Sequence, residues 1–145
     1  LLPFQVSAVE LPRTVEEFLA RTASIPFFIE TPKTEEEFIW RTIVALAISE
    51  NLPPERLLAI SWCESRWKIK ALNYNKNGTT DLSIFQINSI HIPTMRKMGL
   101  DRANYRDNIE YAVHLIKNDG YRHFNASKSC WTSPKTMKLI AFNDT

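Results

Sequence analysis

Two carboxyl side chains near the middle of the sequence, Glu64 and Asp81, lie in contexts that favour opposite protonation states. Glu64 ends an apolar segment between Trp62 and Trp67, and burial in such surroundings raises the pKa of a carboxyl group. Asp81 follows a polar turn around Asn77, so we expect its side chain to be hydrated and ionised. A protonated and an ionised carboxyl group together can divide the acid and the nucleophile or stabiliser roles in glycosidic bond cleavage.

Each carboxyl group also has an ordinary structural interpretation. Glu64 could sit at an exposed helix terminus and pair with Arg66 or Lys68. Asp81 could simply cap the turn that precedes it, because Asp is common in turns. The catalytic interpretation depends on both acids occurring together with the polar residues that follow them.

Amide and aromatic side chains near the two acids are candidate sugar ligands. Gln86 and Asn88 could hydrogen-bond sugar hydroxyls, or they could cap the following turn. Tyr74 and Phe124 could stack on sugar rings, although a single aromatic residue is more often part of a core.

The elements that would position these residues are mostly helical. Thr34 and Glu37 form a capping box that begins a helix over about 34–50, and Pro54 suits the first position of a helix that carries Glu64. Asn77-Gly78 predicts a tight turn in a small β-hairpin. Asp107-Asn108 is predicted to cap a later helix, which ends at Gly120 and has an apolar stripe of Ile109, Ala112, Val113 and Ile116. The fold class predicted is mainly α (α+β), a helical domain with a β-hairpin beside the catalytic helix.

The chain divides into two parts at the sequence level. Residues 1–33 contain four prolines and one capping box, Thr14 to Glu17, which predicts a short helix in an N-terminal arm. Residues 34–145 are predicted to form one catalytic domain, since 145 residues suffice for a single core.

Composition narrows the classes of function. The net charge of +2 gives no argument for nucleic acid binding, and no apolar run is long enough to span a membrane. The cysteines and histidines lack metal-ligand spacing, so we expect no metal or cofactor. Cys63 and Cys130 are either two buried thiols or a disulfide of an exported protein.

With these residues in view, the sequence resembles the lysozyme-like superfamily and, within it, the bacterial lytic transglycosylase (SLT) domain. Glu64-Ser65 matches the catalytic Glu-Ser pair of that family. The rest of the resemblance is carried by the runs 75–81 and 85–89 and by His91, Pro93, Asn108, Ile109, Ala112, Gly120, Cys130 and Trp131. It covers about residues 40–131 and is similar to the small transglycosylases attached to secretion systems.

The resemblance implies cleavage of the β-1,4 bond between N-acetylmuramic acid and N-acetylglucosamine in peptidoglycan. Glu64 would be the acid, Ser65, Ser83, Gln86, Asn88, Tyr74 and Phe124 would lie at the substrate site, and the product would be 1,6-anhydromuramoyl. The segment also resembles c-type lysozyme, which implies a muramidase alternative in which Asp81 is the second catalytic carboxylate. A non-catalytic cell-wall-binding module is a further alternative.

The same resemblance implies a monomer that meets glycan strands outside the cytoplasm, in the periplasm, at the cell wall or secreted. Two residues depart from the family pattern. Ser83 replaces a usual Gly before Ile-Phe-Gln, and Leu115 replaces a usual Tyr whose hydroxyl would lie near the acid. Ser83 is expected to narrow or reshape the cleft, because Gly allows close approach of sugar to the backbone.

Overall fold

The structure, a computed structural model, describes residues 34–140. Six α-helices lie within this range: α1 (Glu35–Ser49), α2 (Pro54–Ser65), α3 (Ile92–Lys97), α4 (Tyr105–Asp119), α5 (Lys128–Trp131) and α6 (Pro134–Ile140). The strands are β1 (Leu72–Tyr74), β2 (Thr80–Leu82) and β3 (Ile87–Asn88), and two 3₁₀ helices are η1 (Ser89–His91) and η2 (Arg122–Ser127). The predicted short helix in the arm 1–33 falls outside the described residues. The mainly helical, lysozyme-like fold class is confirmed.

Local signals begin α1 and α2 where the sequence predicts. The Thr34 hydroxyl accepts a hydrogen bond of 3.1 Å from the Glu37 backbone N–H, and three glutamates occupy the first turn of α1. Pro54 occupies the first turn of α2, where its missing N–H has no cost. Helix α2 ends at Ser65 because Arg66 adopts a left-handed conformation with φ 55°. This termination leaves Glu64 in the last turn of a helix whose other face is buried.

The strands form one antiparallel sheet in the order β1-β2-β3, so a third strand extends the predicted hairpin. In this register Asp81 lies opposite Asn73 on β1 and opposite Asn88 on β3. Gly78 takes a positive φ of 83° in the turn between β1 and β2, as the Asn-Gly pair predicts. The register therefore places Asp81 in the central strand between two amide side chains.

Helix α4 carries the predicted apolar stripe, which is buried, and ends at Gly120. The prediction that Asp107-Asn108 caps this helix is wrong. Asn104 is the N-cap, and its side-chain oxygen accepts from the backbone N–H groups of Arg106 and Asp107. Asn108 is instead completely buried, and it hydrogen-bonds to the loop before β3.

The helices pack around a single core that includes residues from every long helix and from the loop before β3. Its fully buried members include Ile39, Ile43, Leu57, Ile60, Ile84, Phe85 and Ile109. Cys63 on α2 and Cys130 on α5 form a disulfide with a Cα–Cα distance of 6.0 Å, so the buried-thiol interpretation is wrong. Within residues 34–140 there is no helix long and apolar enough to cross a membrane.

Candidate active site

Glu64 projects from the last turn of α2 beside the 3₁₀ helix η2. The Ser127 hydroxyl donates a hydrogen bond of 2.5 Å to Glu64 Oε1. Burial raises the pKa of Glu64, the Ser127 hydrogen bond partly opposes this rise, and the negative charge of Asp81 adds to it. A carboxyl group with a raised pKa is suited to act as a general acid near neutral pH.

Asp81 is held at both carboxylate oxygens by neutral amides. Asn75 Nδ2 donates to Oδ2 at 2.8 Å, and Asn88 Nδ2 donates to Oδ1 at 2.7 Å. Each amide uses its second N–H on the Thr79 hydroxyl, at 3.1 Å in both cases. These hydrogen bonds fix the orientation of the Asp81 carboxylate without a cation.

The two acids interact through their charges, since Asp81 contributes to the raised pKa of Glu64. The structure also disfavours the alternative pairing of Glu64 with Arg66. The Arg66 guanidinium lies 4.9 Å from the centre of the Trp62 ring, in a cation–π contact. Within residues 34–140, Glu64 takes part in none of the salt bridges.

Ser65 connects the end of α2 to the loop before β3. Its side chain is buried, and the hydroxyl donates to the Ile84 carbonyl at 2.8 Å. The same loop is bound from α4 by Asn108, whose oxygen accepts from the Phe85 N–H at 2.9 Å. The Asn108 amide also donates to the carbonyl of Leu82, the last residue of β2, at 2.9 Å. The residue predicted at the substrate site thus holds the loop that leads to β3.

The backbone conformation at Ser83 is one that glycine adopts more easily than serine. Its φ is 67°, in the left-handed region that costs a residue with a Cβ about 1–2 kcal/mol. The side chain is completely buried, and its Oγ is the one buried side-chain polar atom of the described residues without a hydrogen-bond partner. Ser83 is therefore accommodated inside the loop, with a hydroxyl that a glycine would not have to bury.

The amide groups of Gln86 and Asn88, which the sequence suggests as sugar ligands, hydrogen-bond to other groups of the protein. Gln86 donates to the carbonyls of Ala71 and Ser83 at 3.0 and 2.8 Å and accepts from the Asn73 amide at 2.9 Å. The Asn88 oxygen accepts from the Ile90 N–H at 3.0 Å, which is the turn-capping role given above as the alternative. Both amides thus shape the walls of the site.

The two aromatic candidates differ sharply in exposure. Tyr74 on β1 is 80% exposed and is free to contact a ligand. Phe124 is 4% exposed and packs edge-on against Phe85 with ring centres 5.8 Å apart, so it is a core residue in this structure. Stacking of Phe124 on a sugar ring would require the core to open.

Several residues at the site were missed at the level of sequence. Ser127 has no motif of its own, and only its proximity to Cys130 in the chain could have suggested a place near α2. Arg102 donates to the carbonyls of Thr80 and Ile87 at 2.8 and 3.1 Å and so braces β2 against β3. Across the part of the chain that the structure describes, no group of three or more His, Cys, Asp or Glu residues could hold a metal ion.

The chain is similar to Invasion protein IagB of Salmonella typhimurium, with 44% identity over 50 residues, 34% of this chain and 31% of that protein. It is similar to Protein IpgF of Shigella flexneri, with 43% identity over 49 residues, 34% of this chain and 32% of that protein. The matches thus span about a third of these relatives.

No solved structure matches the chain. The Transglycosylase SLT domain matches residues 41–132, which include both carboxyl groups and the whole sheet. This match covers more than half of the chain. The chain therefore belongs to the transglycosylase SLT domain family.

Proposed function

We propose that this chain cleaves the β-1,4 bond between N-acetylmuramic acid and N-acetylglucosamine in peptidoglycan, as a lytic transglycosylase. The observation that carries the proposal is the Glu64 carboxyl, whose pKa is raised by burial at the end of α2, in a chain of the SLT family. Such a group can protonate the oxygen that leaves the muramoyl residue. The raised pKa favours the protonated form of Glu64 that this step needs.

In the proposed mechanism Glu64 acts twice. As an acid it donates its proton to the glycosidic oxygen while the bond to the muramoyl C1 breaks. As a carboxylate it then takes the proton of the muramoyl C6 hydroxyl, whose oxygen bonds to C1. The product is 1,6-anhydromuramoyl, and Glu64 regains its proton, so no metal, cofactor or water is consumed.

Asp81 would support a developing positive charge on the sugar in the muramidase alternative. Its two oxygens already accept amide hydrogen bonds, so the carboxylate is oriented before substrate binds. The same orientation favours a second candidate, a muramidase in which water replaces the C6 hydroxyl and Asp81 is nucleophile or stabiliser. The two functions differ in the product and in their dependence on Asp81.

Muropeptides released from purified sacculi and measured by mass spectrometry test the proposal. We expect anhydro products from the wild type and none from Glu64→Gln. Glu55→Gln is the matched control, because Glu55 is an exposed acid in the first turn of the same helix. Cleavage retained by Glu64→Gln would show that the acid is wrongly assigned.

Asp81→Asn separates the two candidates. A muramidase should lose most of its activity, whereas a transglycosylase should lose less. The introduced NH₂ group would face one of the two amide donors, so circular dichroism must show that the variant is folded. Products with an ordinary reducing end would favour the muramidase, and binding to sacculi without release would favour a wall-binding module.

We further propose that the chain acts outside the cytoplasm as a monomer. The Cys63–Cys130 disulfide supports this location, because disulfides persist in oxidising compartments.

A further inference from the structure

The Ser127 hydroxyl has two acceptors but a single proton. Its oxygen is 2.5 Å from Glu64 Oε1 and 3.2 Å from the backbone carbonyl of Phe124. One hydroxyl can donate to only one of these oxygens at a time. The choice depends on the charge of Glu64, because a carboxylate is a stronger acceptor than a neutral carbonyl.

The other carboxyl oxygen of Glu64 is left for the reaction. Oε2 accepts no hydrogen bond from the described residues, and Ser83 Oγ is the one fully buried side-chain polar atom among them without a partner. Oε2 therefore has access to the surface. The two oxygens of Glu64 differ: Oε1 accepts from Ser127, and Oε2 is neither fully buried nor hydrogen-bonded within the described residues.

Ser127 itself is firmly placed. It ends η2, whose Phe124 is buried and whose Phe124 carbonyl also accepts from Trp131 Nε1 at 2.9 Å. Three residues further on, Cys130 is bonded to Cys63, the residue before Glu64. The disulfide joins α2 to α5, and the hydrogen bond joins α2 to the residue that directly precedes α5, so the Ser127 hydroxyl is fixed relative to the acid.

We propose that Ser127 is a positioning residue that holds Oε1 of Glu64, so that Oε2 exchanges the proton with the substrate. When Glu64 becomes a carboxylate, the Ser127 hydroxyl turns its proton from the Phe124 carbonyl to Oε1. This inference rests on the proposed function for the acid and base roles. Ser127 keeps its own proton throughout. The proton that Glu64 gives to the glycosidic oxygen leaves from Oε2, and the proton taken from the sugar hydroxyl arrives there.

The direction of the effect on the acid follows from this arrangement. The Ser127 hydrogen bond lowers the pKa of Glu64, whereas burial raises it. Removing the hydroxyl leaves burial unopposed, so the pKa of Glu64 should rise further. Glu64 would then remain a competent acid, but its carboxylate form, which the second step needs, would lose a charge-assisted hydrogen bond.

The experiment titrates the Glu64 carboxyl carbon by NMR in the full chain, with Glu64→Gln identifying the signal. We expect the midpoint to move to higher pH in Ser127→Ala and to stay at the wild-type value in Ser127→Thr, which keeps the hydroxyl. Ser129→Ala is the matched control, because it removes an exposed serine hydroxyl from the adjacent α5 and should change nothing. Ser127→Gly gives the same test should Ser127→Ala fold poorly.

Kinetics on sacculi add a second readout. In Ser127→Ala we expect kcat to fall about tenfold, the equivalent of one charge-assisted hydrogen bond. The alkaline limb of the pH profile of kcat/KM should move to higher pH with the NMR midpoint. Ser127→Thr should restore both.

An unchanged midpoint in folded Ser127→Ala and Ser127→Gly would overturn the inference. A wild-type chain that releases no muropeptides would instead contradict the proposed function. The NMR midpoint is measured without substrate, so the two failures are distinguishable.

Discussion

Removing the Cys63–Cys130 disulfide should cost the domain much of its stability. The bridge closes a loop with a sequence separation of 67 residues, from α2 to α5. In the chain-entropy treatment, closing a loop of that length raises the free energy of the unfolded chain by about 4 kcal/mol. The double variant Cys63→Ser/Cys130→Ser is chosen so that no free thiol remains.

This loss converts into a large thermal shift. For a domain of roughly 100 residues, 1 kcal/mol moves Tm by about 4–8 °C. We therefore expect Tm to fall by about 15 °C or more in the double variant. The effect acts chiefly on the unfolded chain, so the spectrum of the folded protein at low temperature should stay close to that of the wild type.

Thermal unfolding followed by circular dichroism measures the shift, with and without a reductant. Reductant should lower Tm of the wild type to the value of the double variant and should leave the double variant unchanged, which is the matched control. A decrease of less than about 3 °C in the double variant would refute the reasoning. It would mean that residual contacts between these parts of the chain already restrict the unfolded state.

Three further predictions concern residues that hold the site. Asn108→Asp should lower the free energy of unfolding by about 3 kcal/mol or more in denaturant titrations, because a buried carboxylate would face backbone carbonyls that accept from the amide in the wild type. The control is Asn118→Asp at an exposed position, and equal losses in the two variants would contradict the buried role of Asn108. Glu64→Gln should stabilise the protein more at pH 8 than at pH 4. The reason is that the pKa of Glu64 is raised in the native state, so the stability of the wild type falls as pH rises through that pKa. Equal gains in free energy of unfolding at the two pH values, measured by denaturant titration, would count against a buried acid. Arg102→Lys should lower the free energy of unfolding by about 1–2 kcal/mol, because an ammonium group cannot span the acceptors on both strands that the guanidinium joins; urea titrations that show no loss would disprove the brace.

Structural elements that are set by residues close together in the sequence could be predicted from the sequence. Helix α1 begins at the predicted N-cap Thr34, and α2 begins at Pro54. The turn at Asn77-Gly78 depends on backbone conformations that Asn and Gly adopt easily. In each case the interaction joins residues within a few positions, so no tertiary contact was needed to predict it.

The predicted N-cap of α4 was wrong because tertiary contacts of Asn108 outweigh its local preference for a capping position. Asn108 is a suitable N-cap by residue type, but it lies inside the helix and hydrogen-bonds three backbone groups, of which the Phe85 N–H belongs to the loop before β3. Asn104 takes the capping position instead. A short sequence window contains both asparagines and cannot rank them.

The sequence by itself determined the helical framework and the hairpin turn, because motif spacing and residue type carry that information, and it singled out Glu64 and Asp81 as the candidate acids. Only the tertiary structure decided how the pair is supported. It brings Ser127 to Glu64 across 63 positions of the chain, closes the disulfide across 67, and turns Gln86 and Phe124 inward. The physical reason is that these contacts arise from packing between elements, so neither partner carries a local mark of the other.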